Sequence, residues 1–227
     1  SALRLAAIGV QTTVVDRLSM PGGRAVEFIR ERSNQTFRYD AGPTVLTAPI
    51  LFEELFQLFG ERLEDHVELM PVTPWYQMKF MDGSTFNYGG STDDIQAEIA
   101  KFSANDALAY PAFLAHSKKL FDKGYEELGT QAFLGWGSMI KAMPAMIRLR
   151  ADRSVYALTA KYFKHESIRR AFSIQPLLVG GNPFDTTSIY SLIHYLERKW
   201  GVWFVRGGMA QLVAAMVALG HCMGGVL

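Results

Sequence analysis

The sequence predicts an α/β fold: part of a βαβ unit, followed by a region of mixed strands and helices. Three observations predict it. Residues 1–8 place Leu3, Leu5, Ala6, Ala7 and Ile8 in a helical stretch that Gly9 can stop. "VQTTVVD" then runs almost unbroken through β-branched residues to a lone acid, Asp16. That is the pattern of a strand buried on both faces of a parallel sheet. Near residue 90 the sequence turns from strand-rich to helix-rich.

The elements follow in order. Helix, glycine, strand and acid make the second half of a βαβ unit. "AVEFIRERSNQTFRYDAG" reads as a hairpin, because Val26 and Phe28 on one side and Phe37 and Tyr39 on the other flank a polar turn at Arg32–Gln35. Residues 48–60, "APILFEELFQLFG", form a short amphipathic helix ended by Gly60. Residues 67–90 are a second β region, with Asp82-Gly83 as its hairpin turn. Residues 91–175 are mainly helical, and "TDDIQAEIAKF" opens with Ser91 or Thr92 as cap and acids in its first turn. A loop and helix over 181–201, a strand in "VWFVRGG" and a helix in "MAQLVAAMVALG" complete the chain. The expected division is 1–68, then 69–205 (strands to 90, helices to 200), then a return helix in 206–227.

Composition narrows the class. Of 227 residues 49% are apolar and 20% charged, as in an ordinary globular protein. The formal net charge of +1 gives no field that favours nucleic acid. With Cys222 as the single cysteine, no internal disulfide is possible, which fits a reducing compartment. The five histidines are scattered without metal-ligand spacing, so no metal is expected. No run of apolar residues is long enough to predict a membrane-spanning helix. No basic start with an apolar core and cleavage site predicts a signal peptide. The chain opens on "SALRLAAIG", mid-helix and without Met, so a fragment is expected.

Asp16 is the first candidate for chemistry. In a dinucleotide-binding βαβ unit an acid at the end of the second strand accepts the ribose hydroxyls. It lies about 20 residues after a glycine-rich turn, which here would fall just before Ser1. A solvated strand-end carboxylate is the competing reading, at even weight. Pro21, Gly22, Gly23 and Arg24 follow. Paired glycines let backbone approach a ligand, and the arginine brings a fixed cation to a phosphate or carboxylate. A tight turn with a surface arginine explains the same residues.

The combination is more specific than its parts. "VVDRLSMPGGRA", "FRYDAGPTVLTAP", "LLVGGNPF" and "GVWFVRGG" occur in this order over essentially the whole chain. Together they resemble the bacterial-type phytoene desaturases, FAD-dependent carotenoid desaturases related to the flavin amine oxidases. The resemblance departs at Val205, where that family carries proline, and in the missing GxGxxG. It implies a partial Rossmann-like FAD-binding domain with an inserted α+β domain for substrate and membrane contact. It implies that the cofactor is FAD, bound through Asp16 and Arg17 at the ribose end. Gly22, Gly23 and Arg24 would line the pyrophosphate and flavin, and Asp40, Gly42, Pro43 and Thr44 would run beside the isoalloxazine. A turn residue capping its own loop is the other reading of Asp40. Arg153 matches a polar residue of the family's substrate region, where it would handle a proton or place substrate, and a surface salt bridge is its plain alternative.

The implied activity is desaturation of a carotenoid precursor such as phytoene, towards neurosporene or lycopene, with hydride passing to the flavin. A long polyene has no polar handle, so an apolar tunnel must hold it. Phe163, Phe172, Phe184, Tyr190, Trp200 and Trp203 are candidates to line one, with an ordinary core the heavier reading. The substrate dissolves in membranes. "FLGWGSMIKAMPAMIRLRADR", residues 133–153, interleaves apolar residues and Trp136 with cations, which suits an interfacial helix as well as a core one. The expected location is therefore cytoplasmic and peripheral to the membrane, with no nucleic acid as partner. Competing readings are a dehydrosqualene desaturase or polyene isomerase on the same cofactor segments, and a non-catalytic lipid carrier resembling the Rab GDP-dissociation inhibitors.

Overall fold

A computed structural model describes residues 1–129, 143–144 and 147–222. In chain order the regular elements among them are α1 (Ala2–Ala7), β1 (Glu27–Arg32), β2 (Gln35–Asp40), α2 (Ile50–Gln57), β3 (Leu69–Pro71), β4 (Tyr76–Lys79), β5 (Thr85–Tyr88), α3 (Thr92–Ala100), α4 (Ala104–Phe121), α5 (Val155–Tyr162), α6 (Glu166–Ala171), α7 (Leu192–Trp200), β6 (Trp203–Val205) and α8 (Met209–Cys222). The chain divides into two units, one built from Ser1–Val72 and the chain from Trp200 onward, the other from Thr73–Lys199.

The first unit is discontinuous in sequence. Its two segments are joined by the antiparallel β3–β6 pair, with Leu69 opposite Val205 and Pro71 opposite Trp203. Its core is Leu46, Phe56, Leu63 and Val67 against Val205, Met209, Leu212 and Leu219. The period of α8 places Met209, Leu212, Ala215 and Leu219 on one face, which is the face that is buried. β1 and β2 form the expected hairpin, with Arg32 opposite Gln35 and Glu27 opposite Asp40. Its two turn residues, Ser33 and Asn34, have φ of 51° and 59°. Such a turn matches the twist of the strands, and asparagine tolerates it well.

One expected element is absent. Residues 10–16 form no strand beyond a single bridging residue at Thr13. Val14 is 40% and Val15 87% exposed, the opposite of a strand covered on both faces. β-branched residues favour an extended backbone, but a buried strand also needs neighbours. No ladder forms on this segment among the described residues.

The second unit opens on the β4–β5 hairpin, with Tyr76 opposite Tyr88 and the turn at Asp82-Gly83. Asp82 accepts hydrogen bonds from the Ser84 N–H and hydroxyl, which fixes the turn. α3 begins with a capping box: Ser91 and Asp94 satisfy each other's backbone N–H groups. α4 carries Pro111 in its interior. The ring cannot bond the carbonyl of Ala107, four residues back. The Gln96 side-chain amide of α3 donates to that carbonyl instead, at 3.0 Å. Asp106, 1% exposed, accepts the N–H groups of Lys164 and His165 at 2.7–2.9 Å and so fixes the backbone that leads into α6.

Aromatic rings dominate the core of this unit. Phe86, Tyr88, Tyr110, Phe113, Phe163 and Phe172 are fully buried. Phe163 and Phe172, offered by the sequence as tunnel candidates, are core residues that stack at 4.9 Å. Phe184 is 60% exposed. No described helix is long and apolar enough to cross a membrane. The interfacial helix expected over 133–153 falls largely on residues 130–142 and 145–146, outside the described ones.

Candidate functional site

The first unit brings two of the sequence-predicted segments together. Pairing Glu27 with Asp40 at the open end of the hairpin places the residues before β1 beside those after β2. The Ala41 N–H then donates to the Val26 carbonyl at 2.8 Å. Gly42 lies so close to the preceding segment that a Cβ there would stand 2.2 Å from the Arg24 carbonyl oxygen. Only glycine fits. Gly22 has φ of 117° and caps a single 3₁₀ turn, Gly23–Ala25. Gly42, Pro43 and Thr44 leave their side of this junction exposed.

Asp40 is tied to a helix far along the chain. Its Oδ1 accepts the Met209 N–H at 3.0 Å, between residues 169 positions apart, and so caps α8. A carboxylate suits the positive end of a helix. The alternative sequence reading of Asp40, a residue capping its own loop, differs from the contact seen, since the N–H it accepts belongs to a helix 169 positions away.

Asp16 and Arg17 are exposed, and no described contact joins them to residues 40–44. One oxygen of Asp16 accepts the Leu18 N–H at 3.0 Å in a local turn. The neighbouring Thr12 and Val14 line a cavity of about 430 Å³ together with Pro21, Gly22 and Leu3 of α1 and Val213 of α8. Arg24 makes no ion pair or side-chain hydrogen bond with a described residue, and its side chain is exposed. Arg153 belongs to the other unit, where it pairs with the adjacent Asp152 at 3.4 Å on the surface.

These residues fit a flavin nucleotide. The test is the glycine junction itself: backbone is packed on backbone at Gly42 where a Cβ has no room, the outer face carries little side chain, and a cation with no partner among the described residues stands beside it. Among the described residues no cluster of acids, histidines or cysteines could hold a metal.

The second unit holds a constellation that the sequence reading missed. Glu197 and His194, both fully buried, lie three residues apart on α7. Tyr76 donates to Glu197 Oε1 at 2.9 Å and Tyr88 to Oε2 at 3.2 Å. The Tyr88 oxygen also meets His194 Nδ1 and the Gln175 amide, and Tyr110 meets His194 Nε2 at 3.1 Å. Burial pushes the Glu197 carboxyl up to about 7, against the hydrogen bonds from Tyr76 and Tyr88 and the nearby Arg198 charge. Burial holds the His194 imidazole well below its usual range. The Arg198 guanidinium donates to the Gly89 and Gly90 carbonyls and lies over the Trp75 ring at 4.7 Å. The local signal was a histidine and a glutamate at i, i+3 in "LIHYLERKW".

Comparison with known proteins places nearly the whole chain among flavin-dependent enzymes. A phytoene desaturase (lycopene-forming) of Pantoea ananas is 46% identical over 224 residues, covering 99% of this chain and 45% of that protein. A phytoene desaturase (neurosporene-forming) of Cereibacter sphaeroides is 39% identical over 225 residues, covering 99% of this chain and 43% of that protein. A phytoene desaturase of Phycomyces blakesleeanus is 32% identical over 216 residues. The chain thus spans under half the length of the relatives it matches. The sequence pattern of the flavin containing amine oxidoreductases matches residues 1–223, through both units. This match shows that the chain belongs to the flavin containing amine oxidoreductase family.

Proposed function

We propose that this chain serves FAD-dependent desaturation of a carotenoid precursor such as phytoene, yielding neurosporene or lycopene. The observation that carries the reading is the junction of Gly22–Arg24 with Asp40–Gly42, set beside relatives named as phytoene desaturases. The first unit is then part of a Rossmann-like FAD-binding domain, and Thr73–Lys199 an inserted domain for substrate and membrane contact.

Bound FAD would supply the hydride acceptor. The chain's own residues would hold it. Gly22, Gly23 and Gly42 let backbone come close to a flat ring and its phosphates. Arg24 brings a permanent charge to the pyrophosphate. The second oxygen of Asp16 is left to accept a ribose hydroxyl, since the first holds the Leu18 N–H. Asp40 acts at one remove: by capping α8 it fixes the backbone from which Gly42, Pro43 and Thr44 lead.

Membrane contact belongs to the same proposal, because the substrate is a membrane-dissolved hydrocarbon. Met143 and Ile147, 53% and 59% exposed, stand beside the exposed Arg148. Apolar residues with adjacent cations suit the lipid interface. The location that follows is cytoplasmic and peripheral.

The test is expression of the gene encoding this chain in cells that accumulate phytoene, with flavin content and pigment measured together. Bound flavin and a coloured polyene are expected. Flavin without any new polyene would overturn the substrate assignment, and a protein without flavin would overturn the oxidoreductase reading.

A further inference from the structure

The hydrogen-bond directions in the Glu197 constellation are constrained by the number of hydrogens available. Tyr88 has one hydroxyl hydrogen and three neighbours: Glu197 Oε2, His194 Nδ1 and the Gln175 amide, which donates. When Glu197 is a carboxylate, Tyr88 must donate to it. His194 Nδ1–H then donates to the Tyr88 oxygen, and Nε2 accepts from the Tyr110 hydroxyl. Every donor in the row points towards Glu197. When Glu197 carries a proton on Oε2, it donates to the Tyr88 oxygen, and each bond behind it can run the other way.

We propose that Tyr110, His194, Tyr88 and Glu197 form a buried proton relay and store, in which a proton received at the Tyr110 oxygen comes to rest on Glu197. The hops balance. The Tyr110 proton moves to His194 Nε2 as the incoming proton replaces it. The Nδ1 proton moves to the Tyr88 oxygen, and the Tyr88 proton moves to Glu197 Oε2. One proton has been gained, every bond in the row has reversed, and the imidazole has changed from its Nδ1–H to its Nε2–H tautomer. The same hops backwards discharge the store.

The surroundings favour this over ordinary structural hydrogen bonding. The row is continuous across three elements, with Tyr110 from α4, Tyr88 from β5 and the pair His194 and Glu197 from α7. All four side chains are fully buried. The other groups that face the carboxyl are Tyr76 from β4 and Arg198 from α7 itself. Burial keeps His194 neutral, so the ring passes a proton rather than keeping it. Glu197 releases its proton near neutrality, at about 7, which is where a store is useful. The inference does not depend on the proposed substrate.

The test is nitrogen-15 NMR of the His194 ring in the whole chain, titrated through neutral pH. Expected is the Nε2–H tautomer at low pH and the Nδ1–H tautomer at high pH, with a midpoint near that of Glu197. Tyr76→Phe removes one donor to the carboxylate and should move the midpoint upward by about one pH unit. Glu197→Gln should leave one tautomer at every pH. A single tautomer throughout the wild-type titration, as a proton resting on Oε1 beside Tyr76 would give, overturns the proposal. So does a midpoint unmoved by Tyr76→Phe, or a switch that persists in Glu197→Gln. Should the Gln variant fail to fold, the wild type and Tyr76→Phe still decide.

Discussion

Tyr76 and Tyr88 stand opposite each other across the β4–β5 hairpin, and their hydroxyls take the two oxygens of a single buried carboxylate, Glu197, at 2.9 and 3.2 Å. Strand pairing therefore sets the spacing of a side-chain site. Directly opposed residues share a face, and a slip of one residue in either strand would turn that strand's tyrosine to the other face.

Stability should fall as pH rises through the Glu197 titration. Its carboxyl is raised from 4.5 to about 7 in the fold, so the folded chain keeps a proton that the unfolded chain has released between those values. Stability is full below 4.5 and declines up to about 7, by roughly 3 kcal/mol on the order-of-magnitude conversion. His194, depressed in the fold, contributes the opposite slope below its usual 6.5. That slope is common to both proteins when the wild type is compared with Glu197→Gln. The stability of the variant relative to wild type should thus climb between these pH values and level off above them. Urea unfolding at a series of pH values measures it, and parallel curves would count against the buried carboxyl.

Asp106→Ala should cost about 2–3 kcal/mol. The substitution strands the Lys164 and His165 N–H groups in a site that is 1% exposed. Asp106→Asn keeps one acceptor and should cost less. Chemical denaturation of the three proteins gives the order directly.

Gly42→Ala and Gly23→Ala should behave differently. A Cβ at Gly42 meets the Arg24 carbonyl oxygen at 2.2 Å, so the two backbone segments must separate, at a cost of about 1–3 kcal/mol. A Cβ at Gly23 meets nothing within 4 Å and costs only its left-handed φ of 55°, about 1 kcal/mol. Flavin content should fall in Gly42→Ala, because the junction itself has opened. Equal flavin content in Gly42→Ala and wild type would argue against a flavin there.

Arg24→Gln should leave stability within about 0.5 kcal/mol, since the guanidinium has no described protein partner. Flavin affinity should fall at least tenfold with the loss of a charge-assisted contact to phosphate. Fluorescence titration of the stripped protein with FAD separates the two effects.

Much of the local structure was legible in the sequence because turns and caps are short-range chemistry. Asp82-Gly83, Ser33-Asn34 and the Ser91 capping box all lie where their residue types require. Segment 10–16 was misread because extended preference is local and burial is not. Asp40 shows the same limit, since its Met209 partner comes 169 residues later. Of the buried relay only the His194 and Glu197 spacing was local. Tyr76, Tyr88 and Tyr110 are ordinary core tyrosines in the sequence and become a site only when two strands and two helices meet.

The β3–β6 pair governs the order in which the protein can be completed during synthesis. Leu69 leaves the ribosome long before its partner Val205, and all of Thr73–Lys199 is made in between. At about 5–20 residues per second that interval is on the order of ten seconds. Throughout it Phe56, Leu63 and Val67 lack the α8 face that covers them, and Asp40 has no helix to cap. The segment before Thr73 thus waits with an uncovered apolar face for that interval, while the second unit is contiguous and can fold as it emerges.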